Sequence, residues 1–175
     1  MDSNLNKILL SSVTLIQLES LWLLGLIWVE DLPDVALELM SQGWESESLL
    51  ELAACSNNEY DDIRRLFKLT LLELGGGNIT VVTALKNYAI QISNSIITAE
   101  ISPKKGANLI WQSIRNARSI HNFDEFEEFY DLDGFIYAAD EMDDRPEDKD
   151  FFEKAIIVEA KCWIEKTLNA PRKGE

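Results

Sequence analysis

The chain has 175 residues, of which 46% are apolar and 27% charged, and it carries 31 acidic against 16 basic residues. These proportions are typical of one globular domain. The formal charge of −15 argues against a general nucleic-acid binder or a binder of anionic membranes. Cys55 and Cys162 lie in apolar stretches, which predicts reduced, buried thiols in a cytoplasmic protein rather than a disulfide framework.

The first apolar segment, residues 13–29, raises the question of a membrane span. It covers 17 residues and contains Gln17 and Glu19, whereas a span needs about 20 apolar residues with few charges. We therefore predict a buried helix here and no membrane as a partner.

Helix boundaries are marked clearly in the next part of the chain. Asp31 and Pro33 are typical of a helix start, and Gly43 of its end. A second helix is predicted from Asn57 or Asn58 to the triple glycine at 75–77. Apolar residues at helical spacing then predict a helix over residues 79–100.

Two prolines mark the last long helices. Ser102-Pro103 opens one whose apolar face is Leu109, Ile110, Ile114 and Ala117. Pro146 opens another, for which the pattern predicts an inner face of Phe151, Phe152, Ala155, Ile156, Glu159, Ala160, Trp163 and Ile164.

The fold class that follows is all-α. We expect an irregular bundle of seven to eight helices, with a helical-repeat-like stack as the second choice. Residues 1–175 are expected to form a single helical domain. The glycines at 75–78 are either a helix stop or a hinge, and the stop is favoured because neither half looks apolar enough to fold well alone.

Acidic residues are concentrated between Asp124 and Glu153. This segment has fourteen of them against Arg145 and Lys149, a formal charge of −12. Large aromatic residues are interleaved with the acids, which is not typical of a disordered tail. A folded anionic surface of this kind attracts a basic partner and repels nucleic acid.

The apolar pattern of this segment changes phase at Gly134. Before it, Asp124, Glu127, Glu128 and Asp131 share one helical face. After it, the predicted inward residues are Phe135, Ala138, Ala139 and Met142, whereas Asp140, Glu141 and Asp144 face away. One straight helix does not keep both apolar stripes inward, so we expect a break between Asp131 and Gly134.

Catalytic motifs are weak. The single histidine, His121, is expected in a loop, and no nucleophile motif accompanies it. The string Asp140-Glu141-Met142-Asp143-Asp144 resembles the magnesium-binding motif of isoprenoid synthases, and residues 128–131 resemble the acidic spacing of all-helical nucleotide pyrophosphatases, but each lacks its second motif. We predict no catalytic residue, no metal site, no cofactor and no enzyme.

A family resemblance is carried by three leucine-rich stretches and the acidic helices. Asp31-Leu32-Pro33 with Gly43, residues 49–53, residues 71–75 and residues 126–144 resemble small helical immunity proteins of bacterial contact-dependent inhibition and polymorphic toxin systems. The resemblance extends over about half of the chain. It implies a cytosolic inhibitor that docks on a cognate toxin, often a nuclease, and acts by binding alone.

The predicted partner is therefore a basic protein, a cognate toxin domain, with no direct nucleic-acid contact. Acidic side chains would cover its cationic site, and aromatic residues off the apolar stripes would anchor the complex. The candidate partner-binding residues are Asp124, Glu127, Glu128, Phe129, Asp131, Tyr137, Asp140, Asp143 and Asp144. Two alternatives stay open: an adaptor for another basic protein, and a small magnesium-dependent nucleotide or diphosphate hydrolase.

Overall fold

The computed structural model describes residues 13–121 and 132–169, and within them the chain is built from α-helices and no strands. This confirms the all-α prediction. The α-helices in these two ranges are α1 Leu15–Leu23, α2 Leu32–Ser41, α3 Glu47–Ala53, α4 Tyr60–Glu73, α5 Val81–Ile97, α6 Pro103–His121, α7 Asp133–Asp144 and α8 Lys149–Asn169. None of these helices combines the length and apolar character needed to cross a bilayer.

The chain divides into two compact units, Met1–Ala84 and Leu85–Glu175, called unit 1 and unit 2. The boundary between the two units lies inside α5. Each unit has its own buried apolar residues, such as Leu18 and Phe67 in unit 1 and Ile110 and Phe135 in unit 2.

The first described helix of unit 1, α1, is shorter than the apolar segment that predicts it. Thr14 and Gln17 form a reciprocal capping box at its start. The helix ends after nine residues, and Gly25 follows with a φ of 60°. Its Trp22 ring packs on Phe67 of α4, with the ring centroids 5.0 Å apart. The segment is thus core, as expected, but only partly helical.

α2 and α3 pack on each other in unit 1. Gly43, with a φ of +86°, ends α2 as predicted, and the Ser46 hydroxyl caps α3 by accepting from the Leu49 N–H at 3.1 Å. Asp31 differs from expectation because its side chain makes no capping hydrogen bond. The residue has helical dihedrals and closes a short 3₁₀ turn before α2.

The triple glycine follows α4 and runs beside α1. Gly75 and Gly77 have φ values of +87° and +92°, which allow the chain to turn. The buried Glu19 carboxylate on α1 then accepts a hydrogen bond from the Ile79 N–H at 3.2 Å. Glu19 therefore ties the segment after the glycines to α1.

In unit 2, α5 and α6 approach closely at a glycine. A Cβ atom on Gly106 would lie 2.5 Å from Ile96 Cδ1 and Cγ1. The face of α6 predicted to be buried is buried at all four positions, Leu109, Ile110, Ile114 and Ala117. His121, expected in a loop, is instead the last residue of α6.

α7 and α8 pack together in unit 2, and α7 buries Phe135, Ala138, Ala139 and Met142 as the sequence predicts. Glu159 of α8 lies over Gly134, where an added Cβ would be 2.7 Å from its carboxyl carbon. The sequence pattern predicts that Phe151 is on the inner face of this helix, and this is wrong. Phe151 is 67% exposed, and Phe152 is the buried member of the pair.

Candidate functional site

The exposed face of α7 carries an aromatic residue among carboxylates. Asp133, Tyr137, Asp140 and Asp144 follow one another at spacings of four, three and four residues, and all are exposed. We call this set the α7 stripe. It is held in place by the opposite face of the helix, which is buried. Tyr137, 63% exposed, has the size and polarity of an interface anchor.

The three carboxylates of the α7 stripe have no ion-pair partner among the residues that the structure describes. Other acids of the segment do. Glu141 lies 2.9 Å from Arg145, which also approaches Asp148 at 3.9 Å and lies over the Phe152 ring at 4.8 Å. Glu153 pairs with Lys149. The segment's few cations are thus used by acids that lie off the stripe.

Asp143 is the predicted binding residue that meets a basic residue within its own unit. Its carboxylate forms an ion pair with Lys104, in the first turn of α6. Asp143 is still exposed, but a cationic partner would compete with Lys104 for it. The stripe is therefore Asp140, Asp144 and Tyr137 from the predicted set, together with Asp133.

The remaining predicted residues, Asp124, Glu127, Glu128, Phe129 and Asp131, lie outside the described ranges. Asp133 is an addition. Its spacing of four from Tyr137 is readable in the sequence.

The carboxylates around Met142 do not converge on a common point. Glu141 pairs with Arg145, Asp143 with Lys104, and Asp140 and Asp144 belong to the exposed stripe. Across residues 13–121 and 132–169, no three His, Cys, Asp or Glu side chains are grouped as a metal site. The geometry within these ranges is that of a surface and offers no converging ligands.

Unit 1 contains a second acidic region. Outside Asp124–Glu153 the chain has a net formal charge of only −3, and this near balance hides the region. Residues 8–63 contain eleven acids and no Lys, Arg or His, a formal charge of −11. The basic residues that offset it come later, from Arg64 onward. A local charge count along the sequence would have found this region in unit 1.

Comparison with known proteins gives no assignment. No family model matches the chain, and no curated protein or solved structure has significant similarity to it. The resemblance to immunity proteins stays a prediction.

Proposed function

We propose that this protein binds and neutralises a basic protein partner, a cognate toxin domain, by covering its cationic site with the α7 stripe. The observation that carries the proposal is that Asp133, Asp140 and Asp144 share a helical face with an exposed tyrosine and have no ion-pair partner among the described residues. Uncompensated carboxylates on a rigid helix raise the association rate with a positively charged surface.

The mechanism is occlusion. A nuclease holds its substrate phosphates with Lys and Arg, so a surface that pairs with those side chains blocks the substrate. Electrostatic attraction sets the rate of encounter, and Tyr137 contributes buried area once the surfaces meet. This protein needs no chemistry of its own in this scheme.

Growth rescue tests the proposal. The product of the reading frame next to this gene is expressed in a test cell, with this protein or with its Asp140→Lys/Asp144→Lys variant. We expect the native protein to restore growth and the variant to fail at equal abundance. A control with Gln112→Lys and Ser119→Lys, two exposed α6 positions, adds positive charge away from the stripe and should still rescue.

Two results would reject the proposal. If the neighbouring product is harmless in the absence of this protein, the partner is not a toxin. This protein would then be an adaptor that uses the same surface to bind another basic protein. If the toxin is active and the α7 variant rescues growth fully, neutralisation does not use the stripe.

A further inference from the structure

Unit 1 has an open apolar groove that the α7 stripe does not explain. It measures about 330 Å³ and is lined by Met40, Trp44, Glu45, Ser46, Leu49 and Leu50. Met40 comes from α2, Leu49 and Leu50 from α3, and the other three from the connection between them. We call it the α2–α3 groove.

The apolar part of the α2–α3 groove extends onto the protein surface. Leu50 is 60% exposed, and Leu37, one turn before Met40 on α2, is also exposed. Leu49 is fully buried and forms the floor. Solvent-exposed leucines and methionine beside a half-buried tryptophan are typical of a surface that another helix covers.

The rim of the groove is acidic. Glu45 is in the lining, and Glu47 lies one turn from Leu50 on α3. The described basic residues of unit 1 all lie on α4, and its two arginines pair within that helix, Arg64 with Asp61 at 3.7 Å and Arg65 with Asp62 at 3.2 Å. The groove therefore combines apolar anchor sites with carboxylates that have no cationic partner in this part of the chain.

From this combination we propose that the α2–α3 groove binds an amphipathic cationic helix of a partner protein. Its apolar face would lie against Met40, Trp44 and Leu50, and its lysines or arginines would meet Glu45 and Glu47. A second copy of this chain using the same face would bring two carboxylate rims together, which opposes association. The groove is on unit 1, so this inference is independent of the α7 stripe.

Calorimetry with a defined probe tests the inference on the full chain. The probe is a synthetic Leu/Lys peptide with leucines on one helical face and lysines on the other. We expect it to bind, and the Met40→Ser/Leu50→Ser variant to lose at least about tenfold in affinity. Leu72→Ser is the matched control because Leu72 is equally exposed, at 60%, on α4, and it should leave affinity unchanged.

Two further peptides separate the contribution of apolar contact from that of charge. A Leu/Glu peptide with the same apolar face and a Ser/Lys peptide with the same charges should both bind much more weakly than the Leu/Lys peptide. A urea unfolding curve for each variant checks that the chain is folded. The double variant Glu45→Gln/Glu47→Gln should weaken Leu/Lys binding without any change of apolar surface.

Several outcomes would overturn the inference. It fails if native protein does not bind the Leu/Lys peptide, if Leu72→Ser loses as much affinity as the groove variant, or if the Leu/Glu peptide binds equally well. It also fails if sedimentation shows a native dimer that Leu50→Ser converts to a monomer, since the occupant would then be a second copy.

Discussion

The carboxylate of Glu73, the last residue of α4, accepts two hydrogen bonds from Ser48 in the first turn of α3. The Ser48 N–H donates at 3.0 Å and its hydroxyl at 2.7 Å. Glu73 thus satisfies a donor that α3 cannot pair internally. Because α3 forms one wall of the α2–α3 groove, this contact fixes the groove from a residue 25 positions away.

The pH dependence of stability should report the Glu73–Ser48 contact. Hydrogen bonds from Ser48 hold the pKa of Glu73 below its ordinary value of 4.5. Its contribution to stability is therefore full above the unfolded pKa and lost as pH falls through the lower folded pKa. Urea unfolding of native protein and Glu73→Gln should differ most near neutral pH, with the difference shrinking in acid.

The control for this experiment is Glu51→Gln, an exposed α3 residue whose carboxylate has no hydrogen-bond partner in the described ranges. Its difference from native protein should stay small at every pH. A Glu73→Gln effect that is as large in acid as at neutral pH would show that the lost charge is not the cause.

Gly106→Ala should destabilise unit 2. Alanine is favoured over glycine in a helix by about 1 kcal/mol, but the new Cβ would meet two carbons of the buried Ile96 side chain at 2.5 Å. Overpacking of this kind costs about 1–3 kcal/mol. Thermal unfolding should give a lower Tm for Gly106→Ala.

The second substitution in this test is Ile96→Ala, which removes the two Ile96 carbons that the Cβ of Gly106→Ala would meet. The double variant should be less destabilised than the sum of the two single changes, because alanine at 106 then occupies space that Ile96 has vacated. Strict additivity would mean that the two residues do not conflict.

Tyr137 should matter for binding and not for folding. The side chain is largely solvated, so Tyr137→Ala is expected to change the free energy of unfolding by no more than about 0.5 kcal/mol. Loss of a buried aromatic anchor costs about 2 kcal/mol or more of binding, roughly thirtyfold in affinity. Urea unfolding and titration of the partner measure the two effects. If Tyr137→Ala is destabilised but binds with unchanged affinity, the residue serves folding and not binding.

Lys104→Gln should speed association with a basic partner. The change removes a positive charge beside Asp143 and leaves that carboxylate unpaired in the described residues. Stability should change little, since an exposed ion pair contributes about 0–1 kcal/mol. Stopped-flow association at low salt checks the rate. Lys154→Gln, the same charge change at an exposed α8 position, should have a smaller effect, and equal effects would show that only net charge matters.

Local patterns were enough to predict most helices. Pro103 begins α6 as expected, and the buried face of α7 is the one that apolar spacing predicts. From this face the exposed positions of Tyr137, Asp140 and Asp144 follow directly, because residues opposite a buried stripe face solvent. The described part of the candidate site was thus accessible from periodicity alone.

Polar contacts between distant segments cannot be predicted from the sequence. Glu19 meets Ile79 across 60 positions, and no local rule pairs a helix carboxylate with a loop N–H so far along the chain. The prediction that Phe151 is buried is wrong for a simpler reason. Adjacent residues on a helix differ by about 100° in direction, so both members of such a pair are buried only where both lie within the buried stripe. Phe152 is the one in register with Ile156, Ala160 and Trp163.

Isothermal titration of the basic partner into native protein and into the Asp140→Lys/Asp144→Lys variant tests the central claim most directly. We expect tight binding to the native chain, weakened by added salt, and loss of at least about a hundredfold in affinity for the variant, with urea unfolding unchanged. Equal affinities for two folded proteins would contradict the claim that the exposed carboxylates of α7 bind the partner.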